Sequence, residues 1–239
     1  MRPFAYYKIL AKRILAGKVL LSGIVTLFSL LLSLFITLYA KQFYTDNEIL
    51  NTVISAAISI VVVYPFSMGV TVYFMNLARS RTPKVGDVFD GYKYFFKTLP
   101  YVLFSVVMSL LSNYALDLLE KRTIGSGDIF TDVLTIVVIM LPVFIQLYLT
   151  FTFYIIYDGD ASGIKAMIKS FKLTKGKLMY LIALNLSFIP WVLLILVTLG
   201  CAILYLVPFM ELTMIVVYED LKNKQINKNI NENEERESL

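Results

Sequence analysis

The feature that most restricts this chain is a continuous apolar run from Leu178 to Tyr218, 41 residues long and carrying a single charge, Glu211. As one α-helix it would extend about 61 Å, twice the roughly 30 Å of a bilayer's hydrocarbon core. The run must therefore fold back on itself. Gly200, in "LVTLGCAIL", is the local breaker near its middle and marks the predicted turn. Four further apolar runs precede it, so the expected spans are 19–40, 50–78, 99–116, 133–157, 178–199 and 201–218. With 58% hydrophobic and 16% charged residues, the chain departs from the soluble balance of roughly 45–50% apolar and about 25% charged. A polytopic, all-α membrane protein is the expected class.

The same composition narrows the chemistry. The sequence has no histidine and one cysteine, Cys201. Serine–histidine and cysteine–histidine catalysis, histidine-ligated zinc and an intrachain disulfide are therefore excluded. No enzyme, cofactor or metal is expected; Asp158 and Asp160 in "YDGDASG" read as the end of one helix and the cap of the next. The basic N-terminal stretch lacks a small-residue cleavage site, so 19–40 is expected to be retained as a span.

Sidedness follows from the cations. All but three of the 22 lysines and arginines lie in residues 1–18, in the 79–98 and 158–177 loops, or in the polar tail; Lys41, Lys121 and Arg122 are the remainder. The positive-inside rule puts both termini and the two long loops in the cytoplasm, and an even span number agrees. The opposite face is acidic, with Asp46, Glu48, Asp117, Glu120, Asp128 and Asp132. Residues 222–239 are polar and low in complexity and are expected to lack fixed structure.

An internal pattern suggests three copies of one unit. Pro65, Pro142 and Pro208 sit near the middle of the even-numbered spans, each followed by an aromatic residue. Each odd span is preceded by a basic amphipathic segment, in which apolar residues recur every three or four positions with lysines between them: Lys8 and Lys12, then Lys93 and Lys97, then Lys165, Lys169 and Lys172. Such segments lie in the headgroup region, where these lysines would meet anionic lipid. Asp87 is placed to cap the second, and Asp160 or Ser162 the third. The expected fold is thus six transmembrane helices as three hairpins, each preceded by a basic interfacial helix.

From residue 161 onward the motifs resemble a known family. Lysine–glycine–lysine at 175–177, "LSFIPW" (Leu186 to Trp191), "LVTLG" (Leu196 to Gly200), "VPF" (Val207 to Phe209) and "YEDL" (Tyr218 to Leu221) are similar to the C-terminal half of the domain-of-unknown-function 975 family, YciC-like bacterial integral membrane proteins. "VFDGYKYFFKTL" (Val88 to Leu99) resembles its central loop, and the first 80 residues match only in layout. Pro190 stands where the resemblance leads one to expect glycine, and it adds a fourth expected kink. The resemblance implies a fold and a location but no activity.

Glu211 is the conspicuous intramembrane group, about 11 Å from the cytoplasmic end of its span. A carboxylate at that depth must be protonated, hydrogen-bonded or facing water. Asn185, Gln146 and Thr71 are the polar residues at comparable depth. Two readings stand: an interhelical clamp between Glu211 and Asn185, and a proton or cation site. Three functions accordingly stay open. One is a non-enzymatic protein binding lipid or a partner membrane protein. Another is self-protection against a cationic membrane-active peptide. The third is a small-solute or lipid transporter using Glu211. Nucleic acid is not expected, because no recognition motif accompanies the basic charge.

Overall fold

The computed structural model describes residues 1–40, 46–123 and 129–237, and every regular element among them is helical. Of the outward turns expected at 41–49 and 117–132, residues 41–45 and 124–128, with Lys41 and Asp128, lie outside the described residues. In chain order the elements are α1 (Phe4–Leu15), α2 (Val19–Ala40) and α3 (Glu48–Ile58), then a π-helical turn at Ser59–Val63 that leads into α4 (Tyr64–Ala78). A 3₁₀ segment at Val85–Tyr94 precedes α5 (Phe95–Thr123), α6 (Ile129–Tyr148), α7 (Thr152–Tyr157) and α8 (Gly163–Thr174). The chain ends in α9 (Leu178–Leu186), α10 (Ile189–Val197) and α11 (Ile203–Glu237).

Among the described residues five helical stretches are long and apolar enough to cross a membrane: Val19–Tyr39, Leu50–Ala78, Val85–Leu119, Ile129–Tyr157 and Leu178–Val197. The apolar half of α11 is not one of them, since Glu211 is followed by Glu219 and Asp220 at its end. Nor does α11 stop at Leu221. The tail expected to be unstructured continues the helix to Glu237, because its Lys, Gln, Asn and Glu residues tolerate helix and Asp220 pairs with Lys224 one turn on, at 2.7 Å.

The predicted reversal after α10 is present, and its backbone explains the glycine. Leu199 and Gly200 both adopt positive φ, 50° and 93°, and the Gly200 N–H reaches back to the Ile195 carbonyl at 2.8 Å. This is the left-handed helix end that glycine accepts without a Cβ penalty.

Two expected continuous spans are instead broken. Pro190, expected to kink a helix over 178–199, stands in the first turn of α10, after a break at Ser187–Phe188. The proline ring cannot share space with the carbonyl four residues back, and the helix restarts rather than bends. The span over 133–157 is interrupted between Tyr148 and Thr152, where Ser170 of α8, fully buried, donates to the Tyr148 carbonyl at 2.9 Å and accepts from the Phe151 N–H at 3.2 Å. One hydroxyl thereby satisfies both backbone groups that the break exposes.

The amphipathic segments divide in the same way. The first and third are the α-helices α1 and α8, but the segment before α5 is 3₁₀ rather than α-helical. Its path is set by Gly69: a Cβ there would lie 1.5 Å from the Val88 carbonyl oxygen. Asp87 accepts from the Lys84 N–H at 3.2 Å and from Asn76 at 3.3 Å. Ser162 occupies the N-cap position of α8 without a side-chain capping bond, and Asp160 pairs with Lys169 at 3.0 Å instead.

The chain forms two compact units. The first comprises Met1–Leu38, Phe66–Tyr92 and Met179–Leu239; the second comprises Tyr39–Pro65 and Lys93–Leu178. In the first, α1 lies along α11 with Tyr7, Ala11 and Leu15 buried. In the second, α5 packs against α6 and α8, with Gly163 close against Pro100.

Candidate functional site

The intramembrane polar residues singled out by sequence are divided between the two units. Thr71, Asn185 and Glu211 belong to the first unit and Gln146 to the second. Thr71 and Asn185 spend side-chain donors within their own helices, on Ser67 and Leu181 carbonyls at 3.2 and 2.9 Å. Glu211 is half-buried on α11. Its neighbour Pro208 lies inside that helix, and the Leu204 carbonyl that the proline leaves without its usual donor faces Gly23 of α2, where a Cβ would sit 3.5 Å away. Gln146 accepts from the Tyr101 hydroxyl at 2.9 Å.

The lysines separate likewise. Lys12, Lys93, Lys97, Lys165 and Lys172 are exposed, Lys97 lying 5.7 Å from the Tyr94 ring centre. Lys169 holds Asp160. Lys8 turns inward: its ammonium donates to the Ser187 carbonyl at 2.9 Å and lies 4.2 Å from the Phe188 ring centre, so it ties α1 to the α9–α10 break. Burial lowers its pKa below that of an ordinary lysine. On α8 small residues face the protein, with Gly163, Ala166 and Ser170 buried, while Ile164, Ile168 and Phe171 are exposed beside Lys165 and Lys172.

"YEDL" is a polar junction. Tyr218 is buried; Arg79, just past the end of α4, places two N–H groups on one Glu219 oxygen, at 2.9 and 2.6 Å. Asp220 accepts from the Tyr7 hydroxyl at 2.8 Å and from Lys224 at 2.7 Å, with Arg2 at 3.5 Å. Burial raises the Asp220 pKa, but the hydrogen bonds from Lys224 and Tyr7 and the charges of Lys224 and Arg2 outweigh it and hold the carboxyl below its ordinary value. Tyr7 is pushed up, first by burial and then by Asp220. A small cleft of about 270 Å³ between Arg2, Leu10, Ile215 and Glu219 lies beside this junction. Its charges are mutually satisfied, which suits a clasp between helices better than a ligand site.

The larger opening is in the second unit, at residues that, Asp117 aside, the sequence reading does not single out. A groove of about 790 Å³ runs between α3 with its π turn and α5, lined by Asn51, Thr52, Ser55, Ser59 and Tyr64 on one side and by Ser109, Asn113, Tyr114 and Asp117 on the other. A second cavity of about 330 Å³ shares Tyr64, Ser109 and Asn113 and reaches Gln146 and Pro142. From Asn51 to Tyr64 the wall extends about 20 Å. The π turn belongs to this wall: the Tyr64 N–H bonds to Ser59, five residues back, immediately before Pro65. An extra residue per turn relieves the clash between the proline ring and the preceding turn. The sequence does hold a signal for the groove. Asn51, Ser55 and Ser59 recur every fourth residue, as do Ser105, Ser109, Asn113 and Asp117, which aligns each set on one helix face. Among the described residues no group of three or more acidic or cysteine side chains could hold a metal.

No curated protein and no solved structure matches this chain. The family model described as "Protein of unknown function (DUF975)" matches residues 6–225, spanning the α1–α11 clasp, the groove and the Gly200 reversal alike, and the chain belongs to that family.

Proposed function

We propose that this chain is a non-enzymatic integral membrane protein of the bacterial plasma membrane that binds lipid in the groove between α3 and α5. The carrying observation is a groove of about 790 Å³ lined by serine, threonine and asparagine side chains together with Ala56, Val106 and Leu110, on helices that also expose Val53, Val107 and Leu111. That volume suits a small-molecule or headgroup ligand, while the exposed apolar side chains suit acyl chains. In this reading the chain crosses the bilayer six times as three hairpins with both termini cytoplasmic. The apolar half of α11 is the sixth span, and α1 and α8 rest among anionic headgroups. The one-sided distribution of lysine and arginine supports that sidedness, and the exposed Ile164, Ile168 and Phe171 beside Lys165 and Lys172 support the placement of α8.

Native mass spectrometry of protein extracted in mild detergent tests the function. Retained phospholipid is the expected result; protein that emerges free of lipid under conditions preserving its fold overturns it. Reporter fusions at each terminus test the topology, and an external C-terminal reporter would sink the six-span arrangement.

A further inference from the structure

We infer that the reversal between α10 and α11 is seated among the acyl chains of the outer leaflet, so that the third hairpin ends inside the bilayer whereas the first two emerge into water. This refines the proposed topology and rests on its sidedness. Between Lys177 and Glu211 the sequence carries no charged residue, whereas the first outward turn holds Lys41, Asp46 and Glu48 and the second holds Asp117, Asp128 and Asp132. The side chains at the tip match that difference. Leu196, Val197 and Leu199 are 73%, 80% and 94% exposed, and Cys201 is exposed beside them. In water such a cluster would stay unfavourably hydrated; acyl chains cover it without a partner protein.

Length leads to the same place. From Ile203 to Tyr218, ahead of the charged Glu219 and Asp220, α11 rises about 24 Å, less than the roughly 30 Å of the hydrocarbon core. Tilt would shorten that reach further. With Glu219 and Asp220 at the cytoplasmic boundary, the reversal stops short of the outer headgroups. Irregular backbone at such a depth needs its polar groups paired, which a solvated turn does not. Here each backbone N–H from Thr198 to Leu206 ends on an acceptor between Leu194 and Ala202, at 2.8 to 3.3 Å. Thr198 completes the set. Its hydroxyl donates to the Leu194 carbonyl at 2.8 Å and accepts from the Ala202 N–H at 3.0 Å, so its polarity is spent on the turn itself.

Cys201 is the one cysteine of the chain and reports its own surroundings. In spheroplasts, a membrane-impermeant maleimide should label Cys201 at least about tenfold more slowly than Asp46→Cys in a Cys201→Ser background, because hydrocarbon excludes the reagent and disfavours the reactive thiolate. Comparable labelling overturns this inference alone; an Asp46→Cys protein labelled only after permeabilisation sinks the sidedness beneath it. A covering protein would also slow labelling, so a second measurement separates lipid from protein. Trp191 is the one tryptophan; full-length Leu199→Trp in a Trp191→Phe background is reconstituted in vesicles of phosphatidylglycerol and phosphatidylethanolamine, with Leu196→Trp as the second variant should the first not fold. Lipid brominated along its acyl chains should remove most of the tryptophan emission, and iodide supplied to both faces little of it. Quenching by iodide and not by brominated lipid overturns the inference in favour of water, comparable quenching by both in favour of the headgroup region, and quenching by neither in favour of a second copy of the chain.

Discussion

In the unit built from Met1–Leu38, Phe66–Tyr92 and Met179–Leu239, charged and hydroxyl side chains meet one another across elements: Arg79 with Glu219, Tyr7 with Asp220, Lys8 with the Ser187 carbonyl. In the unit built from Tyr39–Pro65 and Lys93–Leu178, Ser55 and Ser59 bond to carbonyls four residues back in their own stretch, beside a cavity between α3 and α5. Charged side chains and a tyrosine thus serve closure in one place, and serines line an opening in the other. Cross-element pairing is lost when either partner is removed, because the survivor is left desolvated. A self-bonded serine can be removed with little structural cost, so substitutions in the two units should separate stability from binding.

The sharpest way to break this contrast is Gly69→Ala. With a Cβ only 1.5 Å from the Val88 carbonyl oxygen, the variant should lose more than about 3 kcal/mol or fail to accumulate. Thermal melting in detergent checks this, and an unchanged melting temperature would show that the 85–94 segment is not packed as described. Ser170→Ala should come next, at about 1 to 3 kcal/mol, because it strips both the Tyr148 carbonyl and the Phe151 N–H of their partner. It also marks where the open unit is itself closed.

Asp220→Asn should cost a comparable or smaller amount at neutral pH. The Asp220 carboxyl titrates below its ordinary value of 3.8 in the folded protein, so its contribution is present above about pH 4 and disappears as pH falls through the lower, folded-state pKa. Melting curves of wild type and variant should converge in acid; a constant gap would mean that the clasp does not depend on the carboxylate charge. The smallest expected effect belongs to Ser109→Ala in the groove, within about 0.5 kcal/mol. A loss as large as that of Ser170→Ala would erase the distinction between the two units.

What the sequence disclosed depended on how local each cause was. The Gly200 reversal was legible because a glycine in an overlong apolar run has few other uses, and family membership was legible in motifs that are contiguous. The α-helix expected ahead of α5 is absent because the shape of that segment is dictated by Gly69 on α4, whose missing side chain lets the Val88 backbone come close. The α6–α7 break depends on Ser170 arriving from α8, which no local pattern announces. Glu211 drew attention as a charge, whereas the serine and asparagine stripes of α3 and α5, although periodic, look unremarkable one residue at a time. Serine in a membrane helix ordinarily bonds to its own backbone, and only the pairing of two stripes across a cavity gives them a collective meaning.

The π turn at Ser59–Val63 has a mechanical corollary. Each residue of an α-helix advances the side-chain direction by about 100°, and the wider turn absorbs one residue more than regular α-helix would. Deleting a single valine there would let the stretch revert to regular helix with Asn51 and Ser55 keeping their direction relative to Tyr64 and Pro65, because five residues of the wider turn and four of α-helix sweep nearly the same angle, about 400°. Conversion to regular helix with every residue kept would instead turn the hydroxyl row by roughly a quarter of a revolution, so this short stretch acts as an indexing collar that sets which way the cavity wall points.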